Sequence, residues 1–371
     1  MIWNMIWIPA AALLIAQPDD GHLSSRPVFD DRRVGIISDM LEEGDSIVVV
    51  GSMGAVTFDR QLTVLDRCAI EGATHPLTSP MKVAVRLRPD GAFGFLDDVS
   101  EHGDPRSVAL HARDGSLLWR TRTIFPDENA YAGEIRSIVP LLGADGMFDG
   151  AVVVAAGNEQ SIVLGSDGAI VRKETWGQTN DSVGAIGLDA IGDDATEVLY
   201  GLDGALVCVD LVGREVFRFD PAGERNYINM LVPTNTDKDA GPIELLVGVS
   251  QSNWLGSEHT QFSFHVTFDE GTGVAQREIR PEELARASVV RVGERGLRVQ
   301  AGVEWDEGGQ RGTPIVEVDL LTGEGESIDR LVVPNQVPMN EYDGELLVME
   351  HKGELGALVG WGWRVYWIEV D

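Results

Sequence analysis

Between Leu188 and Asp220 the hydrophobic positions change character several times within one short stretch. An acidic Gly/Asp segment leads into the apolar run Glu197-Val-Leu-Tyr-Gly201. A turn at Asp203-Gly204, a second apolar run (Ala205 to Val209), a turn at Val212-Gly213 and the alternating run Glu215 to Phe219 follow. Short apolar runs bounded by Gly and Asp read as β-strands joined by tight turns, and four in succession make one small antiparallel sheet. The runs ending at the first Gly do not alternate, which is the pattern of strands covered on both faces.

The unit repeats. Taking the end of the second apolar run as a marker, copies fall at Gly51, near Asp97, and at Gly157, Gly201, Gly248, Gly302 and Glu350, with spacings of 46, 60, 44, 47, 54 and 48 residues. A hairpin between the third and fourth runs recurs at 109–120, 163–171, 209–217, 268–275 and 318–325, with Gly supplying the positive φ that tight turns need. Helical signals are confined to Arg280–Ala287, read as a loop decoration. Seven units of four strands predict an all-β fold, a seven-bladed β-propeller of four-stranded antiparallel blades. The last unit runs out after its third strand, Val365–Asp371, so an N-terminal strand, Leu23–Asp31, is expected to close the ring. Pro27 suits an outer edge, where a missing N–H costs nothing.

Composition narrows the setting. The 371-residue chain carries 60 acidic against 29 basic residues, a net charge of −31, and only Lys82, Lys173, Lys238 and Lys352 are lysines. Such a surface repels phosphate backbones and argues against nucleic-acid binding. Met1–Ala16 is apolar and uncharged, too short to span a bilayer comfortably, and is followed by Gln17-Pro-Asp-Asp. It reads as a signal peptide over 1–16, leaving a single propeller at 17–371 in a secreted or periplasmic protein with no membrane span after cleavage. The absence of Lys or Arg ahead of the apolar run, and Leu14 near the junction, favour the alternative of an uncleaved anchor. Cys68 and Cys208 fall in the first and fourth units, too far apart for a disulfide.

The acidic loops resemble the FG-GAP/VCBS-like repeat of integrin α-type propellers, in which spaced Asp and Asn residues precede a Leu-Leu-Val-Gly strand. Asp189, Asp193 and Glu197 keep that spacing but place Ile191 at a ligand position. Asn235, Asp237, Asp239 and Glu244 keep the ligand types with one extra residue, and Asp145–Asp149 keeps half of the loop. The resemblance implies structural calcium, which takes six to eight oxygens. The alternative is that worn repeats keep Asp and Gly as turn formers. The hairpin Ala109–Arg120 resembles pyrroloquinoline-quinone-type propeller repeats, with Trp119 in the slot of a docking tryptophan.

No residues stand out as catalytic or cofactor-binding. The seven histidines, His259 and His265 included, lack metal-ligand spacing. Trp361, Trp363 and Trp367 are expected in the core, while Trp254 and Trp305 lie near inserted loops and are candidates for a ligand-contacting lip. The leading expectation is a non-enzymatic binding or scaffolding propeller that recognises a protein or glycan through its loop face. The alternative is an extracytoplasmic enzyme, quinoprotein-like or polysaccharide-active, with its site in the central funnel.

Overall fold

The computed structural model describes residues 23–370 apart from 72–81, 88–92, 100–106, 123–133, 144, 157–159, 176–184, 189–195, 203–204, 220–225, 236–242, 253–258, 270–272, 282–286, 293–294, 306–311, 323–326 and 335–344; for the fifth sheet it describes the backbone alone. The signal segment expected at 1–16 lies outside the described residues. No described helix is long and apolar enough to cross a membrane.

The strands pair into seven four-stranded antiparallel sheets. The first comprises Ile37–Glu43, Ser46–Gly51, Gly54–Asp59 and Val64–Ala69; the second Lys82–Arg86, Phe93–Val99, Ser107–Ala112 and Leu117–Arg122. The third holds Glu134–Leu142, Phe148–Ala156, Gln160–Gly165 and Ile170–Thr175; the fourth Ile186–Leu188, Glu197–Leu202, Ala205–Val209 and Glu215–Phe219. The fifth holds Asn226–Asn235, Ile243–Ser252, His259–Asp269 and Gly273–Pro281; the sixth Ala287–Val292, Arg295–Trp305, Gly312–Leu321 and Ser327–Pro334. The last sheet takes Glu345–His351, Glu354–Trp361 and Arg364–Val370 from the C-terminal end, and Leu23–Asp30 as its outer strand. Leu23 pairs with Val370 and Asp30 with Arg364, with a bulge after Pro27 on the open edge.

First strands of successive sheets approach one another, except that the first strand of the fifth meets the second and third strands of the fourth; the first strand of the first sheet also meets that of the last, so the first strands line the axis of a ring. Burial follows from this. Ile47, Val48, Val49 and Val50 on a second strand are all fully buried, because neighbouring sheets cover both faces. Each such side chain contributes roughly 1.5–3 kcal/mol of burial. Fourth strands form the rim and alternate or lie open, as in Leu117–Arg122.

The turns show what the recurring Asp and Gly do. Asp59, Asp114, Asp145, Asp167 and Asp210 each accept a hydrogen bond from the backbone N–H two residues on. At Gly168, where φ is +78°, an added Cβ would sit 2.6 Å from the Trp119 ring. Trp119 Nε1 donates to the Ser166 carbonyl at 3.0 Å, and Thr121 Oγ1 donates to that of Gly168, so the turn of the third sheet rests on the rim of the second.

The expectation of a seven-bladed β-propeller needs correcting. Seven sheets are paired through the backbone, but buried apolar side chains form five cores among the described residues. These lie between the first and second, second and third, third and fourth, sixth and seventh, and seventh and first sheets. On the sixth sheet Leu297, Val299, Val318 and Leu320 face the seventh, and the opposite face carries the buried pair Arg298 and Asp319 beside buried Ile315 and Leu321. The marker at Glu350 is also out of phase: Glu345–His351 is the first strand of its sheet, and the second is Glu354–Trp361. Its Leu-Leu-Val run resembles a second strand because the sixth and first sheets cover it from either side.

Candidate functional site

The first strands of the first, third and fifth sheets share an irregularity near their starts. Pairing with the second strand slips between Ile37 and Asp39, between Ile135 and Ser137, and between Ile228 and Met230. Each slip is a β-bulge, which leaves one residue unpaired and re-aims its neighbours. The extra residues are Ser38, Arg136 and Asn229, all polar, on strands that line the axis. They lie at the end of the ring where each chain segment arrives from the preceding sheet.

In two of the three strands the next residue reaches across to the following sheet. Asp39 Oδ2 accepts the Ala84 N–H at 2.6 Å, and Oδ1 accepts that of Met40 at 2.8 Å. Ser137 Oγ, buried, donates to the Ala185 carbonyl at 2.9 Å. An axis-lining strand is an edge with unpaired backbone groups, and these side chains satisfy two such groups at Asp39 and one at Ser137. Towards the opposite end of the same strands, Arg86 Nε donates to Glu43 Oε2 at 2.6 Å.

Part of Asp39 reaches solvent, yet its carboxylate is surrounded by protein. Burial pushes its pKa up to about 7, against the two backbone N–H donors that pull it down. A folded-state value above the free one of 3.8 means that ionisation destabilises the fold. The stability associated with a neutral Asp39 is complete below about pH 4 and is lost as the pH rises to about 7. The melting temperature of Asp39→Asn relative to wild type is therefore expected to rise by about 2–4 °C between pH 4.5 and 7.5. A difference that stays constant with pH would show Asp39 ionised throughout. Asp31, held at about 2 chiefly by hydrogen bonds from Arg33, acts in the opposite sense and below this window.

Of the acidic-loop residues, Asp189, Asp193, Asp237 and Asp239 lie outside the described residues. Asn235 and Glu244 are backbone register partners on the first two strands of the fifth sheet, flanking 236–242. Glu197 is paired through its backbone with Leu188 and is buried. Its charge, after burial, helps push the Cys208 thiol up to about 12. Cys208 is buried on the fourth sheet and Cys68 lies on the rim of the first, both free thiols. Asp145 caps the Met147 N–H at 3.1 Å in an ordinary turn. Among the described residues no group of three His, Cys, Asp or Glu could hold a metal. Trp361, Trp363 and Trp367 are buried; Trp254 lies outside the described residues, and Trp305 ends a strand of the sixth sheet.

The bulges and Asp39 escaped the sequence reading. A recurring Ile followed by Ser, Arg or Asn at the head of the first strand is the signal that was available.

No family model matches the sequence, and no curated protein does either. Among solved structures, the Pan2 WD40 domain of Neurospora crassa is 14% identical with a TM-score of 0.52, over 94% of this chain and 94% of that one. The Nup133 β-propeller domain of Vanderwaltozyma polyspora is 10% identical with a TM-score of 0.47, over 96% and 99%. The polysaccharide lyase Uly1 is 11% identical with a TM-score of 0.44, over 92% and 91%. Of these three, the first has a TM-score above 0.5, and at that identity it speaks for fold alone. The chain is a β-propeller.

Proposed function

We propose that the protein is a secreted or periplasmic binding and scaffolding propeller, which recognises a protein or glycan at the loop-bearing mouth of its axis. The observation that carries this reading is the triple bulge. Three alternate sheets place a polar residue, Ser38, Arg136 and Asn229, at the same point of an axis-lining strand, and bulges that re-aim side chains cluster at sites. The acidic loops are taken as FG-GAP-like, with calcium ordering the segment 236–242. The support is that Asn235 and Glu244 are backbone partners, so the intervening residues form the connection of one hairpin. Extracellular calcium modules bind at roughly 10⁻⁴–10⁻³ M, so millimolar calcium would add about 1 kcal/mol, suited to ordering a loop and too little to hold the fold.

The test is to probe residues 17–371 on glycan and protein arrays, with millimolar calcium and with chelator, beside an Arg136→Ala/Asn229→Ala variant. Saturable binding that falls at least about tenfold in the variant, and weakens with chelator, is expected. Equal binding by variant and wild type would place recognition elsewhere on the molecule. A polysaccharide-active enzyme is the second reading, favoured by a carboxyl group titrating near neutral pH beside the axis. Turnover of an arrayed polysaccharide that Asp39→Asn abolishes without loss of binding would select it.

A further inference from the structure

Among the described residues, the rim of the second and third sheets combines exposed apolar side chains with exposed cations. Their fourth strands read Leu-Leu-Trp-Arg-Thr-Arg (117–122) and Ile-Val-Arg-Lys-Glu-Thr (170–175). Leu118 is 51% and Val171 69% exposed, and Leu117 and Ile170 are exposed beside them. Arg120, Arg122 and Lys173 are exposed too, and no carboxylate among the described residues pairs with them. On three other outer strands an arginine is paired with a carboxylate. Arg67 pairs with Asp31 at 2.9 Å, Arg218 with Glu215 at 2.7 Å, and Arg330 with Asp319 at 2.7 Å.

The two strands belong to one surface. Trp119 and Thr121 of the first hold, through their hydrogen bonds to Ser166 and Gly168, the turn from which Ile170–Lys173 departs. The result is an arc of four large apolar side chains and three cations on a protein whose net charge is −31. Both strands are the outer edges of their sheets, with backbone donors and acceptors that the sheet itself leaves unpaired.

We propose that this arc is a docking site for a partner protein, through an extended acidic segment that interleaves carboxylates with apolar side chains. The carboxylates meet Arg120, Arg122 and Lys173, and the apolar side chains cover Leu117, Leu118, Ile170 and Val171. An extended peptide can also pair with a strand edge, which a lipid headgroup cannot. A convex rim touches a flat bilayer along a line only. A second copy brings another net charge of −31 and is disfavoured by repulsion. The site is separate from the axial mouth and does not depend on the reading given there.

The probe is a fluorescein-labelled synthetic peptide of about twelve residues alternating Glu and Val, with its Lys/Val counterpart as control. Fluorescence anisotropy is expected to show saturable binding of the acidic peptide, weakening with salt, and none of the control. Both Arg120→Glu/Lys173→Glu and Leu118→Ser/Val171→Ser are expected to weaken it at least tenfold. All four substitutions are exposed, so unchanged thermal unfolding is required of both variants. Loss with the charge variant but not the apolar one would reduce the site to unspecific attraction and overturn the proposal. So would binding to anionic phosphatidylserine vesicles without binding to the peptide, or rim-dependent self-association in sedimentation with the peptide ignored.

Discussion

Asp319→Ala is expected to lower the unfolding free energy by about 3–5 kcal/mol, measured by urea unfolding. Arg298, Asp319 and Arg330 are register partners on the second, third and fourth strands of the sixth sheet, so one carboxylate lies between two guanidinium groups. Arg298 donates to Asp319 Oδ2 from Nε at 3.0 Å and Nη2 at 2.5 Å, and Arg330 Nε donates to Oδ1 at 2.7 Å. Ser327 Oγ stands 3.4 Å from Oδ1. The side chains of Arg298 and Asp319 are 3% and 0% exposed, so removing the carboxylate takes from a buried guanidinium the acceptor of its Nε and Nη2 hydrogens. The size of the loss comes from that stranded charge and not from the worth of the pair. Adding Arg298→Met to Asp319→Ala is therefore expected to recover most of it, because apolar replacement of a whole buried pair is often neutral. If the double variant is as unstable as the single one, the carboxylate does something other than neutralise Arg298.

Trp367→Ala is expected to cost about 3–5 kcal/mol, and to do so at the join of the ring. Trp367 is 1% exposed on the third strand of the last sheet. It packs with Phe29 and Leu358 of that sheet and with Ile47, Val49 and Phe58 of the first, and its ring centroid lies 5.3 Å from that of His351. His351 receives a hydrogen bond from Arg26 at 2.6 Å, and its other ring nitrogen lies 3.1 Å from the Arg60 carbonyl, so the same cluster ties the N-terminal strand to two sheets. Limited proteolysis of Trp367→Ala should cut first between Leu23 and Asp30, where the wild type resists. Trp363→Ala supplies the contrast. Its ring lies under Arg32, 4.6 Å from the guanidinium carbon, and is 9% exposed, so a smaller loss is expected. Equal losses in the two would mean that Trp367 has no special place at the join.

Sheet formation was legible because it depends on local patterns. Unbroken apolar runs such as Ser-Ile-Val-Val-Val-Gly mark strands buried on both faces, and Asp-Gly pairs mark the hairpins between them. Trp119 was legible for the same reason, as part of one recurring hairpin. The buried ion pair was not. Arg298 and Asp319 are 21 residues apart, each alternating with apolar neighbours, and only the pairing register brings them side by side. The last sheet was misphased because a run covered on both sides has the same composition whether it is a first or a second strand. At the axis, Asp39 looks in sequence like any Asp after Ile-Ile-Ser. Its significance depends on Ala84, 45 residues on, whose N–H no strand of its own sheet takes up. The acidic loops show the converse limit: Asp145 has the composition of a ligand and the geometry of a turn cap.

The closing strand sets the timetable of folding on the ribosome. Leu23–Asp30 is made before the six other sheets and its partner, Arg364–Val370, after them, with a sequence separation of 334 between Asp30 and Arg364. At about 5–20 residues per second, the early strand waits roughly 20–70 s for its partner. Every other sheet completes itself as its four strands emerge, whereas the last can only be finished after the six others have appeared. During that interval Phe29 has no core to enter and the edge from Leu23 is open to other nascent chains. The demand for a holding chaperone should therefore fall on the interval between the synthesis of these two strands, and a circular permutant that begins at Ile37 and carries residues 23–36 after Val370 should escape it.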